Sequence, residues 1–254
     1  MQAAETSYLA VVPAYNESAT IVSVIESLRA KAPHFDVLVV DDGSTDGTAD
    51  LASLAGARVL RLPFNLGIGG AVQAGFVFAA EHDYDFMAQV DGDGQHEPAE
   101  LEKLVAAMSG SAPPDMVCGS RFLSEDYRYP APVSRRTGIH IFAAMLSWIV
   151  SERVSDPTSG FRLYNRRAIE LFADDYPHDY PEVEAVLMLH HHRLRMREVP
   201  VRMYTRTGGV SSIGAGKSTY YMVKVTLALL VGLARRRPVV ERGDSPSVTA
   251  EQGV

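Results

Sequence analysis

Two aspartates separated by one glycine follow the apolar run FMAQV in the segment FMAQVDGDGQHEP, residues 86–98. Carboxylates as close as those of Asp91 and Asp93 repel each other unless a cation lies between them. Three interpretations arise: a polar surface turn, a calcium-binding loop, or a metal site that also holds a charged substrate. The calcium loop is disfavoured because His96 stands where that loop needs glycine, and because a strand precedes it instead of a helix.

Two other patterns resemble ligand sites but lack a required feature. The segment GAGKST at 214–219 has Ser211 where a phosphate-binding loop has its first glycine, and no buried strand precedes it. The run HHH at 190–192 spreads its side chains by about 100° per residue around a helix, so the three cannot converge on one metal. We interpret this run as a solvated helix end.

Composition and charge exclude several classes of protein. The chain has 254 residues, 46% of them hydrophobic, which fits one large domain or a domain with an appendage. A formal charge of −7 argues against a nucleic-acid-binding surface. Cys118 is the only cysteine, which excludes an intramolecular disulfide and a CxxC metal site. The N-terminus lacks the pattern of a signal peptide, and we therefore predict a cytoplasmic protein.

Apolar runs and helical periodicity alternate through the first 120 residues. Strands are predicted at SYLAVV, FDVLVV, ARVLRL, FMAQV and DMVCGS, with helices through 17–31, 48–55, 70–82 and 99–109. This alternation predicts an α/β fold with a mostly parallel sheet and helices on both faces. Ligands bind outside the carboxyl ends of such strands, so the polar loops should share one edge. Those loops are 13–17, 41–48, 65–70, 91–97 and 119–121.

The alternation breaks after about residue 130. We predict a helix at SRRTGIHIFAAMLSWIV, a loop leading into a strand at DPTSGFRLYN, a helix at PEVEAVLMLHHHR and a strand at LRMREVPVRMYTR. An apolar helix follows over 217–236, with an apolar run of only about ten residues, too short to span a bilayer. The chain thus divides into a domain over 1–212, an apolar helical segment over 213–237 for a membrane surface or another subunit, and a disordered tail over 238–254.

Seven motifs occur in order over residues 8–212: VVPAYNE, VVDDGSTDGT, NLGIGGAVQAGF, QVDGDGQHEP, GSRF, DPTSGFRLYNR and EVPVRMYTRTGGVSS. Together they resemble the family 2 glycosyltransferases, and in particular the polyprenyl-phosphate (dolichyl-phosphate) mannose and glucose synthases. The resemblance implies a GT-A-type nucleotide-diphospho-sugar transferase fold, with a mostly parallel central sheet, helices on both faces and a C-terminal helical extension. It also implies that the domain over 1–212 is the glycosyltransferase domain.

The resemblance implies that Asp91, Asp93 and Gln95 hold Mg²⁺ or Mn²⁺, with Gln95 as a ligand or as support for one. Asp42 is implied to read the nucleobase, while Asp41 shares that work or only caps the following turn. The full set implied to bind the nucleotide-sugar is Pro13, Ala14, Tyr15, Glu17, Asp41, Asp42, Asn65, Gly67, Asp91, Gly92 and Arg121.

Three residues are implied to be catalytic: Asp156, Asp93 and Arg206. Asp156 stands where many inverting relatives keep an acceptor-side carboxylate, which acts as a base on an alcohol acceptor or only positions groups for a phosphate acceptor. A pairing of Asp156 with Arg162 is a further interpretation, which would make this loop partly structural. The residues implied to lie on the acceptor side are Arg135, Arg136 and Glu182.

The resemblance predicts an enzyme: a metal-dependent, inverting glycosyltransferase that moves a sugar from a UDP- or GDP-sugar to a polyprenyl phosphate or related acceptor. Two alternatives stay open. One is transfer to a soluble or glycan hydroxyl, and the other is a non-catalytic nucleotide-sugar-binding partner of a membrane protein. Peripheral contact with the inner face of the cell membrane and a homo-oligomer are further expectations, and no nucleic-acid partner is expected.

Overall fold

The computed structural model describes residues 6–124, 133–178 and 180–204, with only the backbone of 133–136. Seven strands form one sheet in this part of the chain. They are β1 Tyr8–Ala14, β2 Phe35–Asp41, β3 Arg58–Arg61, β4 Phe86–Gln89, β5 Met116–Ser120, β6 Arg162–Asn165 and β7 Met196–Pro200. Their order across the sheet is β3-β2-β1-β4-β6-β5-β7.

The helices of the described residues are α1 Ile21–Lys31, α2 Thr48–Leu54, α3 Gly67–Glu81, α4 Leu101–Ala107, α5 Val133–Val150, α6 Arg166–Asp174 and α7 Pro181–His191. A 3₁₀ turn at Pro98–Glu100 leads into α4, with Pro98 in its first turn as predicted. The predicted solvated helix end is also present, because all three histidines at 190–192 are exposed at the end of α7.

One strand of the sheet runs against the others. β6 pairs antiparallel with both β4 and β5, whereas every other pairing is parallel. The chain therefore enters β6 at the edge where β1, β2, β4 and β5 end. This reversal brings the DPTSG segment, residues 156–160, to the same edge as the loops that follow the parallel strands.

Both faces of the sheet are buried under helices. Along β1, Leu9 and Val11 pack with residues of α3, α5, α6 and α7, while Ala10 and Val12 pack with residues of α1, α2 and α4. The period of two along the strand separates the two clusters. The mostly parallel sheet with helices on both faces confirms the predicted α/β fold class.

Several boundaries differ from those predicted. Helix α1 begins at Ile21 instead of 17, because the backbone N–H groups of Thr20 and Ile21 both donate to the carbonyl of Glu17 in a preceding turn. Helix α3 begins at Gly67, three residues earlier than predicted. Strand β7 ends at Pro200, and the predicted apolar helix, the tail and both domain boundaries lie outside the described residues.

Helix α6 was not predicted. Its start is marked by Asn165, whose side chain accepts a hydrogen bond from the backbone N–H of Ala168 at 3.0 Å. Ala168, Ile169 and Phe172 are buried on one face. The helical spacing of apolar residues covers only the nine residues of α6, and β6 precedes it without a break. The sequence therefore does not separate the helix from the strand.

Candidate active site

The loops predicted to share one edge of the sheet do meet there. The backbone N–H of Asp42 donates to the carbonyl of Ala14 at 2.9 Å, which links the ends of β1 and β2. A Cβ added to Gly92 would lie 3.2 Å from the carbonyl oxygen of Pro13. The N–H of Gly119 donates to the carbonyl of Phe161 at 2.8 Å, which joins β5 to the segment before β6.

His96 fixes the backbone and side chain of Asp91. Its Nδ1 accepts a hydrogen bond from the backbone N–H of Asp91 at 3.0 Å, and its Nε2 lies 3.5 Å from Asp91 Oδ2. The ring is buried and packs on Phe161, with 4.8 Å between ring centroids. The Asp91 side chain keeps 35% of its surface exposed, so its carboxylate remains accessible beside a buried support.

Asp93 is held by the residue two positions further on. Its Oδ1 accepts a bond from the backbone N–H of Gln95 at 3.0 Å, and its Oδ2 accepts one from the Gln95 side-chain amide. Gln95 thus contacts Asp93 as a supporting group, one of the two roles that the sequence left open. Its role as a direct metal ligand stays a prediction.

The loop after β4, residues 91–97, is the acidic loop of this site, and its carboxylates are the ligand type that a hard cation prefers. Within residues 6–124, 133–178 and 180–204, no group of three or more His, Cys, Asp and Glu side chains is arranged to hold a metal. Asp91 and Asp93 are the two aspartates of this loop, and joint coordination of a metal by them stays a prediction. Mg²⁺ is commonly bound in this way, by one or two carboxylates together with substrate phosphates and water.

The end of the described chain is fastened to this loop. Met203 forms a β-bridge with His96, and the backbone N–H of Tyr204 donates to the carbonyl of Gln95 at 2.8 Å. The Tyr204 hydroxyl bonds Glu97 at 3.0 Å. Arg206, predicted to close over the diphosphate, lies outside the described residues, as do the side chains of Arg135 and Arg136.

Asp42 and Asp41 have different surroundings. Both oxygens of Asp42 accept backbone hydrogen bonds at the start of α3, from Leu66 at 2.7 Å and from Gly67 at 2.9 Å. Burial raises the pKa of Asp42, the two N–H groups oppose this, and the charge of Asp41 adds to it. Asp42 therefore holds the 65–67 turn, where Asn65 Oδ1 also accepts from Gly67.

Asp41 is the carboxylate with unused acceptor capacity. It is 4% exposed, and its Oδ1 has no hydrogen-bond partner among the described residues. A buried acceptor without a partner is costly unless a ligand or water supplies a donor. Asp41 Oδ1 thus has acceptor capacity that Asp42 uses for backbone N–H groups, and the roles of both residues in reading a nucleobase stay predictions.

The loop after β1 forms one wall of the site. Pro13 and Ala14 end the strand, and Tyr15 is 49% exposed. The backbone N–H of Glu17 donates to Thr48 Oγ1 at 2.9 Å. The Thr20 hydroxyl donates to the carbonyl of Gly92 at 2.7 Å and lies 3.2 Å from the carboxylate of Glu17. These contacts bring the wall, the loop after β2 and the acidic loop together.

Asp156 and Arg121 form a buried ion pair. Arg121 donates to Asp156 from its backbone N–H at 3.1 Å, from Nε at 2.7 Å and from Nη2 at 2.7 Å. The Thr158 hydroxyl adds a fourth contact at 3.2 Å, and Asp156 is 0% exposed. This geometry does not fit a base that takes a proton from an acceptor, and it fits the alternative in which Asp156 positions groups. The predicted phosphate contact of Arg121 stays a prediction, because here its guanidinium is committed to Asp156.

The predicted pairing of Arg162 with Asp156 is wrong. Arg162 is fully buried and instead donates to three backbone carbonyls: Ser159 at 2.8 Å, Pro157 at 3.4 Å and Glu182 at 2.7 Å. Arg121 takes the place expected for Arg162 because it leaves β5 beside the Asp156 loop. An arginine within the apolar segment FRLY indicates a buried side chain that needs hydrogen-bond partners, but the sequence does not identify those partners.

Three further residues of this region had no sequence signal. Glu198, on β7, accepts the backbone N–H groups of Ser155 at 2.7 Å and Asp156 at 3.0 Å. The hydroxyls of Ser120 and Ser155 lie 2.7 Å apart. A single glutamate in an alternating edge strand is typical of a solvated side chain. Its contacts with Asp156 and Ser155, which lie 42 and 43 residues away in the chain, could therefore not be predicted.

Glu182 lies in the first turn of α7, and its backbone carbonyl accepts a hydrogen bond from Arg162. Burial raises the pKa of Glu182, the positive charge of Arg162 opposes this, the charge of Asp91 raises it further and that of Arg121 lowers it. The charge of Asp91 thus acts on the Glu182 carboxylate, and the position of Glu182 on the acceptor side stays a prediction.

Replacing Glu182 by glutamine should change how stability depends on pH. A raised pKa means that the folded state binds this proton more tightly than the unfolded chain does. Its favourable contribution is complete below the usual pKa of about 4.3 and is lost as pH rises through the raised value. We therefore expect the wild type to lose unfolding free energy relative to Glu182→Gln as the pH is raised from about 4.3 to neutrality. Urea denaturation across this range measures the difference, with Glu184→Gln as a control in the same helix. An unchanging difference would contradict the assignment.

Similarity to known proteins shows the family of this chain. Residues 9–172 match the family model described as glycosyl transferase family 2. The chain is a family 2 glycosyltransferase. This glycosyltransferase is 32% identical over 234 residues to the undecaprenyl-phosphate mannosyltransferase of Micrococcus luteus, across 86% of the chain and 92% of the relative. It is 29% identical over 226 residues to the polyprenol monophosphomannose synthase of Mycolicibacterium smegmatis, across 85% and 84%.

Solved structures share the fold of the glycosyltransferase. Glucosyl-3-phosphoglycerate synthase of Mycobacterium tuberculosis, in complex with Mn²⁺ and UDP-glucose, superposes with a TM-score of 0.67 at 24% identity, over 90% of this chain and 79% of that one. Mannosyl-3-phosphoglycerate synthase of Rubrobacter xylanophilus gives a TM-score of 0.68 at 21% identity, over 94% and 79%. The predicted family, enzyme class and fold are thereby confirmed.

Proposed function

We propose that this glycosyltransferase is a metal-dependent, inverting enzyme that moves a sugar from a UDP- or GDP-sugar to a polyprenyl phosphate. The observation that carries the proposal is the pair Asp91 and Asp93 at the carboxyl edge of the sheet, each held by a supporting side chain. The names of the two polyprenyl-phosphate mannosyltransferase relatives support the acceptor.

The donor half of the proposal rests on Asp41 and the acidic loop. Asp41 offers a buried acceptor for the N3–H of uracil or the N1–H of guanine, beside the wall of Pro13, Ala14 and Tyr15. Asp91 and Asp93 would hold Mg²⁺ or Mn²⁺. When bound, such an ion supplies positive charge that stabilises the departing nucleoside diphosphate. Support for a divalent ion comes from the Mn²⁺ named in complexes of the neighbouring fold.

The part of the proposal that concerns the acceptor depends on the hydrogen bonds of the Asp156 carboxylate. An alcohol acceptor needs a base, whereas a phosphate acceptor is already ionised near neutral pH. Among the described residues, the carboxylate of Asp156 accepts four hydrogen bonds, from Arg121 and Thr158, which suits a positioning role. A phosphate oxygen can then attack the anomeric carbon in line with the departing diphosphate, in a single displacement that inverts the configuration.

A hydroxyl acceptor is the second candidate, and one observation favours it. Burial raises the pKa of Glu182, and this carboxylate lies within the field of Asp91. A carboxylate with a raised pKa is a better proton acceptor than an ordinary one. Transfer that depends strongly on Glu182 would favour the hydroxyl acceptor over the phosphate.

A lipid-linked acceptor also implies contact with a membrane surface. No helix in the described ranges is long and apolar enough to span a bilayer. Helix α5 exposes Ile141 at 55% and Trp148 at 80%, seven residues apart and so on one face. We propose that this face contributes to peripheral contact at the inner side of the cell membrane, since exposed apolar and aromatic side chains suit a headgroup region.

The test is a transfer assay with radiolabelled UDP- and GDP-sugars and polyprenyl phosphate in anionic vesicles. We expect labelled product in the organic phase with one of the two nucleotides, loss of this product in EDTA, and enzyme that pellets with the vesicles. Product formation in EDTA at the full rate would refute metal dependence. Binding of nucleotide with no product from polyprenyl phosphate, or from the same polyprenol without the phosphate, would favour the non-catalytic alternative.

A further inference from the structure

The turn 155–160 is held at both ends by side chains that have no part in the proposed reaction. At its start, the two oxygens of Glu198 accept the backbone N–H groups of Ser155 and Asp156. At its end, the buried guanidinium of Arg162 donates to the carbonyl of Ser159 at 2.8 Å and to that of Pro157. The position of the turn is thus set from β7 on one side and from β6 on the other.

The end of this turn lies directly against Asp91. A Cβ added to Gly160 would stand 3.2 Å from Asp91 Oδ1, 3.3 Å from Asp91 Oδ2 and 3.0 Å from the Gln89 side-chain nitrogen. These separations are shorter than ordinary van der Waals contact. Gly160 is not among the glycines with positive φ, so the backbone accepts alanine there and only the space is limiting. The backbone of Gly160 therefore forms a wall for the Asp91 carboxylate.

We propose that the turn 155–160 is a positioning element for the Asp91 carboxylate, with Glu198 and Arg162 as its anchors. The inference rests on the proposed function, because it takes Asp91 to be a metal ligand. Metal–oxygen bonds tolerate displacements of only about 0.2 Å. His96 and the turn both lie against the Asp91 carboxylate. Groups that orient a ligand without touching the ion typically change metal affinity by about 10–100-fold when altered.

The test measures the binding of Mn²⁺ alone to the full chain, through the loss of the free-ion electron paramagnetic resonance signal. Gly160→Ala is expected to weaken Mn²⁺ affinity by about tenfold, since the carboxylate must move to make room. Glu198→Gln should weaken it in the same direction, because one amide oxygen cannot accept both N–H groups. If Gly160→Ala does not fold, Glu198→Gln still tests the proposal.

Two controls separate positioning from general destabilisation. Ile169→Val removes a methyl group from a fully buried side chain in α6 and should lower the melting temperature without changing Mn²⁺ affinity. Asp91→Asn should abolish measurable Mn²⁺ binding. If Asp91→Asn weakens binding while folded Gly160→Ala and Glu198→Gln leave it unchanged, the positioning role is refuted and the metal site stands. If Asp91→Asn also has no effect, the metal assignment of the proposed function fails.

Discussion

Asp91→Asn and Asp93→Asn should each slow sugar transfer by about a hundredfold or more, the scale of losing a principal stabiliser of transition-state charge. Each substitution removes one negative charge from this pair of aspartates and leaves the shape of the side chain almost unchanged. Asp91 is partly exposed at the rim of the sheet, and Asp93 accepts two hydrogen bonds from Gln95 in the same loop. We therefore expect both variants to unfold at urea concentrations close to that of the wild type.

Initial rates at saturating donor and acceptor, with Mn²⁺ present, measure this effect. Asp83→Asn is the matched control, because it removes a charge from a side chain that is 88% exposed and distant from the site in the fold. Its rate should equal that of the wild type. Undiminished transfer by either loop variant, or full wild-type activity in EDTA, would contradict the metal assignment.

Arg121→Met should lower the free energy of unfolding by about 3–5 kcal/mol, because it leaves the carboxylate of Asp156 buried without its partner. The pair is almost fully enclosed, with relative side-chain exposures of 7% and 0%. Replacing both members, in Arg121→Met with Asp156→Leu, should recover much of this loss, since no uncompensated charge then remains. Urea denaturation of the three proteins gives the values.

A surface ion pair provides the comparison for this effect. Arg166 contacts Asp83 and Glu170 while 36% exposed, so Arg166→Met should cost about 1 kcal/mol or less. If Arg121→Met proved as stable as the wild type and lost only transfer activity, Arg121 would be a substrate-binding residue and not a structural one. That result would restore the phosphate contact that the sequence predicts and remove the structural role of the pair.

Much of the fold could be predicted because its signals are local. The apolar runs of β1, β2 and β4 are short and bounded by turn residues, and the helices between them carry buried residues at helical spacing. Alternation of the two element types then predicts a parallel sheet with the polar loops at one edge. Asp91 and Asp93 lie in the predicted place because they follow β4 directly in the chain.

The predictions were weakest where partners are far apart in sequence. Arg121 and Asp156 are 35 residues apart, and Glu198 is 42 residues from Asp156. Only the antiparallel entry of β6 brings these residues together, and that reversal has no local sequence signal. For the same reason Arg162 was assigned to its near neighbour Asp156, whereas it reaches the carbonyl of Glu182, 20 residues away.

Asp41 and Asp42 illustrate a second limit of prediction from the sequence. Adjacent side chains on a strand point to opposite faces, so neighbouring aspartates meet unrelated surroundings. Asp42 meets the start of α3, where two N–H groups need an acceptor, and Asp41 meets none among the described residues. Residue type alone could not distinguish the two, because both precede the same glycine-rich turn.

The most direct measurement of the central claim compares two acceptors that differ by one group. Sugar transfer from the preferred nucleotide-sugar with Mn²⁺ would be followed with polyprenyl phosphate and with the same polyprenol lacking the phosphate, each in vesicles. The account predicts a labelled lipid product from the phosphate, its loss in Asp93→Asn and in EDTA, and little product from the alcohol. Equal transfer to the alcohol, or product that forms without Asp93 and without a divalent ion, would contradict it.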